Sequence, residues 1–431
     1  MYAKIYFLIL ILFLNLHTLA QTSHLADKIL QDDRLDIIKE KGLALLSTGF
    51  NAGSGYQEVW IRDLNTFIPY SLQVRPHEEV SDVLLRFLYF QGFDGNIIDG
   101  YQQVAEDEVI DYYSRYARYD MPGYAFHKNT VETDQETSLV QAFYKYVSVT
   151  GDTSILFEEI HGISAIDRLE FALNFLMKHR FNSTYGLIWG ATTADWGDVQ
   201  PGHPWGVKLD EFSIPAIDIY DNAMFLIALD NFMTLKRPFG NVEKWEKIYD
   251  NTRKNIRTHL WDSENQKFKP HIYIREKAFP ELEDENIIFY HGGTAVAILA
   301  GLLNVQEIQG SLEKMIQNVK AANAQSIGLT LYPVYPENSF MNRQMVPRGY
   351  QNGGDWTWFG ARMITALSQN GLIEEAYREL EPMVDRVIAN DGFYEWYTVE
   401  GQPKGSGQFR GSAGVLMEAI DALRDWAEQN N

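Results

Sequence analysis

Apolar residues recur along this chain at the i, i+3, i+4, i+7 spacing of a buried helical face. Leu416, Ala419, Ile420, Leu423 and Trp426 mark one such face, and Ile373, Ala376, Tyr377, Leu380, Val384 and Val387 mark another. Gly371, just ahead of the second, suits a helix C-cap and turn, and Pro382 falls inside it, where it is expected to kink the helix. The same reading predicts helices over residues 24–47, 63–75, 78–91, 134–150, 163–179, 217–236, 241–260, 293–304, 310–323, 355–370, 372–389 and 412–428, twelve in all. The longer connectors, 92–133, 180–216, 261–292 and 324–354, mix aromatics, Gly and Pro and are expected to carry short hairpins. Connectors this long inside a compact domain are usually functional. Twelve helices so connected predict an all-α (α/α)6 toroid, six inner helices surrounded by six outer ones, with the long loops at one end. An α-solenoid would show a sequence repeat of about 34–45 residues; none is present, and the loop lengths are uneven.

Six patches rich in Trp, Gly and carboxylates interrupt the periodic pattern: Val59–Asp63, Val131–Glu136, Thr192–Asp198, Tyr290–Gly293, Tyr350–Trp356 and Phe393–Tyr397. Each precedes a predicted helix, with one further helix between consecutive patches. In an up-and-down array every second helix points the same way, so the patches are expected to converge on one end. Seven of the ten Trp (Trp60, Trp189, Trp196, Trp205, Trp356, Trp358, Trp396) lie in or beside them.

Composition narrows the partners. The net charge of −21 argues against nucleic acid and anionic membrane surfaces. With no Cys, neither a disulfide nor a thiolate site is possible. No His-x-x-x-His, HExxH or acidic calcium loop is found, so no metal or cofactor is implied. Lys4, the apolar run Ile5–Leu16 and the small-residue ending Thr18-Leu19-Ala20 read as a signal peptide over residues 1–20, cleaved before Gln21. That predicts a periplasmic or secreted protein, with no membrane association after cleavage. No low-complexity tract or Pro/Ser linker divides residues 21–431, which are expected to form one domain.

The motifs VWIRDL, ADWGD followed by IPAIDIYDNAMFLIAL, HGGTAVAILAGL, YQNGGDWTWFG and FYEWY, in this order, resemble the six-hairpin glycosidases. The similar members are glycogen-debranching glucosidases, alkaline/neutral invertases and processing α-glucosidases. The resemblance runs from about residue 50 to residue 425. It implies an inverting glycoside hydrolase of α-glucosidase type that acts on an oligosaccharide with two carboxylates and no metal. In such enzymes the carboxyls stand about 6.5–9.5 Å apart, leaving room for the attacking water.

By that resemblance Asp195 is the expected general acid, with Asp198 its rival in the same loop, and Glu395 is the expected base. Two carboxylates beside a Trp would raise the pKa of one of them, as an acid at neutral pH requires; capping of the loop or the next helix is the alternative role for Asp. Arg410 is a candidate structural partner for Glu395. Arg62 and Asp63 match the family's substrate clamp. Trp60, Trp196, Trp356 and Trp396 offer flat faces to a pyranose. Asp134, in an acidic cluster with Glu132 and Glu136, is expected to bind hydroxyls or support the helix start. His291 and Asp355 are further hydroxyl partners. A polysaccharide lyase or a phosphorylase on the same toroid, or a non-catalytic sugar-binding protein, are the competing functions. A lyase would need cations against a substrate carboxylate, and no Arg/Lys cluster marks the patches.

Overall fold

The computed structural model describes residues 22–105, 123–128, 131–204 and 207–431. The expected signal peptide, residues 1–20, lies outside them. Each predicted helix is present, and the first is divided in two: α1 spans 22–30 and α2 Asp33–Leu46. Asp32 causes the division, because its side chain accepts from the Arg34 backbone N–H and caps α2. Then follow α3 (Ile61–Val74), α4 (His77–Tyr89), α5 (Asp134–Thr150), α6 (Ala165–His179), α7 (Ile219–Lys236) and α8 (Glu243–Asn255). The chain ends with α9 (His291–Leu299), α10 (Val305–Ala322), α11 (Thr357–Gln369), α12 (Ile373–Ala389) and α13 (Arg410–Asn430). The start of α10, five residues ahead of the expected 310, is set by a capping box between Asn304 and Glu307. Pro382 sits inside α12, which continues through it.

The odd-numbered helices from α3 onward pack side by side in a closed ring, α3–α5–α7–α9–α11–α13 and back to α3. Helices α2, α4, α6, α8, α10 and α12 lie outside it, each against at least one inner helix next to it in sequence. Burial explains the division. In α11 every residue from Thr357 to Ser368 is buried, and α7 is apolar nearly all round. The outer α8 fully buries only Trp245 and Thr252, packs Ile248 and Tyr249 partly against the core and is otherwise charged or polar. A helix that is apolar on every side belongs in an interior. The fold is therefore an (α/α)6 toroid. Among the described residues no helix is long and apolar enough to cross a membrane.

Short strands gather in the loops. Val59–Trp60 pairs with Gly100–Gln103, which pairs with Tyr124–His127. Tyr394–Tyr397 forms a hairpin with Pro403–Gly407 just before α13. The ring closes beside this hairpin. There the Ser54 N–H donates to Gly407 O at 2.8 Å and the Arg410 N–H donates to Ala52 O at 2.8 Å.

Candidate active site

The N-termini of α3, α11 and α13 meet around a cavity of about 280 Å³. α3 contributes Arg62 and Asp63 from its first turn, and Trp60 from the residue before it. Trp356 and Trp358 come from the start of α11, and Phe409 from the residue preceding α13. Loops add Tyr56, Asp99, Lys128, Trp196, Asp198, Tyr350 and Gln351, and short strands add His127 and Glu395. The aromatic wall is a packed unit. Trp196 meets Trp356 edge-on at 4.6 Å and stacks on Phe359 at 4.4 Å.

Two carboxylates with distinct surroundings face this cavity. Glu395 lies on the strand Tyr394–Tyr397, where it is buried. Its Oε1 accepts from the Tyr56 hydroxyl at 3.1 Å and its Oε2 from the Ser406 N–H at 2.7 Å. The hairpin approaches Oε2 so closely that a Cβ on Gly405 would collide with it, and Gly405 has a φ of +67°. Burial raises the pKa of Glu395, the two hydrogen bonds oppose this, and the negative charge of Asp198 raises it further. Asp198 is held by Gln351, which donates from Nε2 to Oδ1 at 2.9 Å and accepts the Asp198 N–H at 3.3 Å. Each carboxylate is fixed by neutral donors, and among the described residues neither is spent on a salt bridge.

Arg62 reaches into the acidic cluster, with its Nη2 on Glu132 and its Nε on Asp134. Asp134 also accepts from the Tyr220 hydroxyl at 2.9 Å. Asp134 is fully buried behind Arg62 and is not part of the cavity wall; it supports the guanidinium rather than the ligand.

Four further expectations are corrected by the geometry. Asp195, the first choice for the acid, does not line the cavity. Its φ of +54° turns the chain so that its carboxylate accepts the Gly292 and Gly293 N–H groups, both at 2.7 Å, at the start of α9. It is a helix cap, with its pKa pushed up to about 8 by burial against these backbone bonds. His291 is buried between α9 and α10, with Nδ1 at 3.2 Å from Ile327 O and Nε2 at 3.1 Å from Asn318 Nδ2. Burial lowers its pKa to about 4, so the ring is neutral at pH 7. Trp396 falls on the other side of its strand from Glu395 and packs on Tyr350 at 6.0 Å.

Asp355 is the fourth. It accepts from Ser326 Oγ at 2.7 Å and pairs with Arg386 Nη1 at 2.8 Å, both side chains almost wholly buried. Removing one partner of such a pair strands the other charge. Asp355→Ala should therefore destabilise the fold by roughly 3–5 kcal/mol. Denaturant unfolding checks this, and a change below about 1 kcal/mol would refute the structural assignment.

Arg410 is not the partner of Glu395. It donates to Asn51 O at 2.7 Å and to Thr48 Oγ1 at 2.6 Å, across the ring closure. Trp205 lies outside the described residues. Among lining residues not singled out by sequence, Tyr350, Gln351 and Trp358 stand in or beside a recognised patch, so patch membership was the available signal. Tyr56 lies only three residues ahead of one. Asp99, His127 and Lys128 belong to the connector 92–133 and carry no local pattern beyond its length.

No protein-family model matches this sequence, and no curated protein matches it. Solved structures do share the fold. A GH63 mannosylglycerate hydrolase from Thermus thermophilus, in complex with Tris, superposes with a TM-score of 0.62 at 15% identity, over 88% of this chain and 99% of the other. The same hydrolase in complex with glucose gives 0.62 at 16% identity over the same shares. A rhamnosidase from Klebsiella oxytoca with rhamnose bound gives 0.56 at 14% identity, over 90% of this chain and 63% of that one.

Proposed function

We propose that this chain is an inverting glycoside hydrolase in which Asp198 protonates the leaving oxygen and Glu395 activates water. The observation that carries the reading is the pair itself. Asp198 and Glu395 come from distant parts of the chain and face one aromatic-lined cavity, and the charge of Asp198 acts on Glu395. The fold neighbours, a mannosylglycerate hydrolase and a rhamnosidase, support it. In the mechanism the glycosidic oxygen takes a proton from Asp198 as the C–O bond breaks. Glu395 removes a proton from water as its oxygen bonds to the anomeric carbon from the opposite face. Trp60, Trp196, Trp356 and Trp358 would hold the apolar faces of the sugar and exclude bulk water.

An α-glucoside, in an oligosaccharide or a smaller glycoside, is the first substrate to try, followed by mannosides and rhamnosides. Hydrolysis is favoured over lyase chemistry because Arg62 is already engaged by Glu132 and Asp134, and Lys128 by Glu136 at 3.1 Å. These cations are not free to bind a substrate carboxylate. The test is a panel of aryl glycosides and disaccharides, with and without phosphate, followed by proton NMR. Inversion predicts that the first-formed sugar has the opposite anomeric configuration to the substrate. Retention would overturn the two-carboxylate roles, an unsaturated product would establish a lyase, and binding without turnover a sugar-binding protein. Export is proposed from residues 1–20 alone. Its test is N-terminal sequencing of the mature protein, and a chain that still begins at Met1 would refute it.

A further inference from the structure

Beside the acid–base pair two further carboxylates line the cavity: Asp63, which the resemblance already makes part of a substrate clamp, and Asp99, to which nothing so far gives a task. Asp63 is only 6% exposed, and its Oδ1 is buried with no hydrogen-bond partner among the described residues. Asp99 stands just before the strand Gly100–Gln103 with its backbone fixed on both sides. The Ile61 N–H donates to its carbonyl at 2.9 Å, and its own N–H donates to His127 O at 2.9 Å. Its side chain lines the cavity, and no hydrogen-bond donor among the described residues reaches that carboxylate. The nearby cations are committed, Arg62 to Glu132 and Asp134, Lys128 to Glu136. Burial pushes Asp99 up to about 7, opposed by Arg62 and reinforced by the charges of Asp134 and Asp198. Burial likewise pushes Asp63 up to about 8, where Arg62 opposes it and Glu395 and Asp99 add to it.

Buried acceptors without donors weaken a fold. Asp63 Oδ1 is one of them, and the half-buried Asp99 turns a carboxylate without a donor among the described residues to the same cavity, so the wall is matched to a ligand that brings the donors. An ionised carboxylate has room for two hydroxyl hydrogens, and the adjacent hydroxyls of a pyranose present them in pairs. We propose that Asp99 is a substrate-binding carboxylate which, together with Asp63, forms a wall for adjacent hydroxyls of the terminal sugar. The substrate class is then a glycoside whose terminal sugar carries those hydroxyls free. This deepens, and rests on, the reading of the cavity as a sugar site.

The proposal has a signature that a structural residue lacks. Near pH 7 a substantial share of Asp99 is protonated before binding. Hydroxyl donors favour the ionised form, so its pKa falls when sugar binds and a proton leaves. Stability moves the other way. A carboxyl whose folded pKa is raised destabilises the fold above its unfolded pKa near 3.9, with the effect complete above about 7. Asp99→Asn should therefore melt at or above the wild-type temperature at pH 8.

The experiment titrates the purified chain and Asp99→Asn with D-glucose, D-mannose and L-rhamnose by calorimetry at pH 7, in phosphate and in HEPES. The two buffers differ in ionisation enthalpy and so report protons released. The wild type should release a fraction of a proton on binding at least one sugar. Asp99→Asn should bind that sugar at least tenfold more weakly and release fewer protons, with kcat/KM on the best aryl glycoside falling in parallel. An aryl glycoside lacking the hydroxyl that Asp99 accepts should show a much smaller difference between the two proteins. Unchanged affinity and unchanged proton release in Asp99→Asn overturn the proposal, as does a melting temperature below wild type. If the wild type binds and cleaves while Asp99→Asn is unaltered, Asp99 alone is misassigned. If the wild type neither binds these sugars nor cleaves any glycoside, the sugar-site reading falls and this proposal with it.

Discussion

Glu395→Gln should lower turnover by about 10²–10⁴-fold, the usual worth of a general base, with helix content unchanged. The substitution keeps the size of the side chain and one acceptor for the Ser406 N–H or the Tyr56 hydroxyl. What it removes is the ability to take a proton from water. The pH profile adds an independent reading. A base works only when ionised, so activity is lost as pH falls through its pKa in the folded protein. Burial and then the charge of Asp198 raise that pKa. The acid limb of kcat/KM should consequently fall at a higher pH than for a solvent-exposed glutamate. A Gln variant that turns over its best substrate near the wild-type rate would show that Glu395 only ties the hairpin to Tyr56.

Asp198→Asn should lose a similar factor on a disaccharide, whose leaving group is a poor one, and lose little on a glycosyl fluoride, which departs without full protonation. A residue that shapes the loop affects both substrates alike. Asp195 provides the contrast. Asp195→Ala leaves the Gly292 and Gly293 N–H groups without their acceptor. It should cost about 1–3 kcal/mol in stability and slow both substrates to the same degree. Steady-state kinetics on the two substrates, paired with thermal melts, separates the roles. A selective loss in the Asp195 variant with a uniform one in the Asp198 variant would reverse the assignment.

The helices were legible because a ring of two layers imposes a one-sided apolar pattern on the outer helices and near-continuous burial on the inner ones. The patches were legible because each one introduces an inner helix. Positions within a patch were not, since the backbone turns between neighbours. Asp195 and Asp198 are three residues apart in one loop, and the left-handed conformation at Asp195 sends its carboxylate to α9 while Asp198 faces the cavity. Glu395 and Trp396 are adjacent on a strand, so they take opposite sides, an alternation that could have excluded Trp396. His291 and Asp355 carry polar groups that satisfy α9, α10 and Arg386 internally, and nothing in their local sequence distinguishes that use from ligand binding. Asp99 is brought to Arg62 by pairing between residues about forty apart, Ile61 with Asp99; pairings of that range leave no periodic trace.

The seam where the last inner helix meets the first has a consequence for how the chain acquires activity. Tyr56 holds Glu395 across a separation of 339 residues, and Ser54 and Ala52 are bonded to Gly407 and Arg410 at the same place. Contacts this distant in sequence form late, because a long loop must be closed before they contribute. Individual hairpins of helices can assemble locally and early. On dilution from denaturant, ellipticity at 222 nm should recover ahead of catalysis, and the lag should lengthen when Tyr56 is replaced by Phe. On the proposed function, catalytic competence reports closure of the ring rather than the amount of helix, and a nascent chain remains silent until α13 has docked against α3.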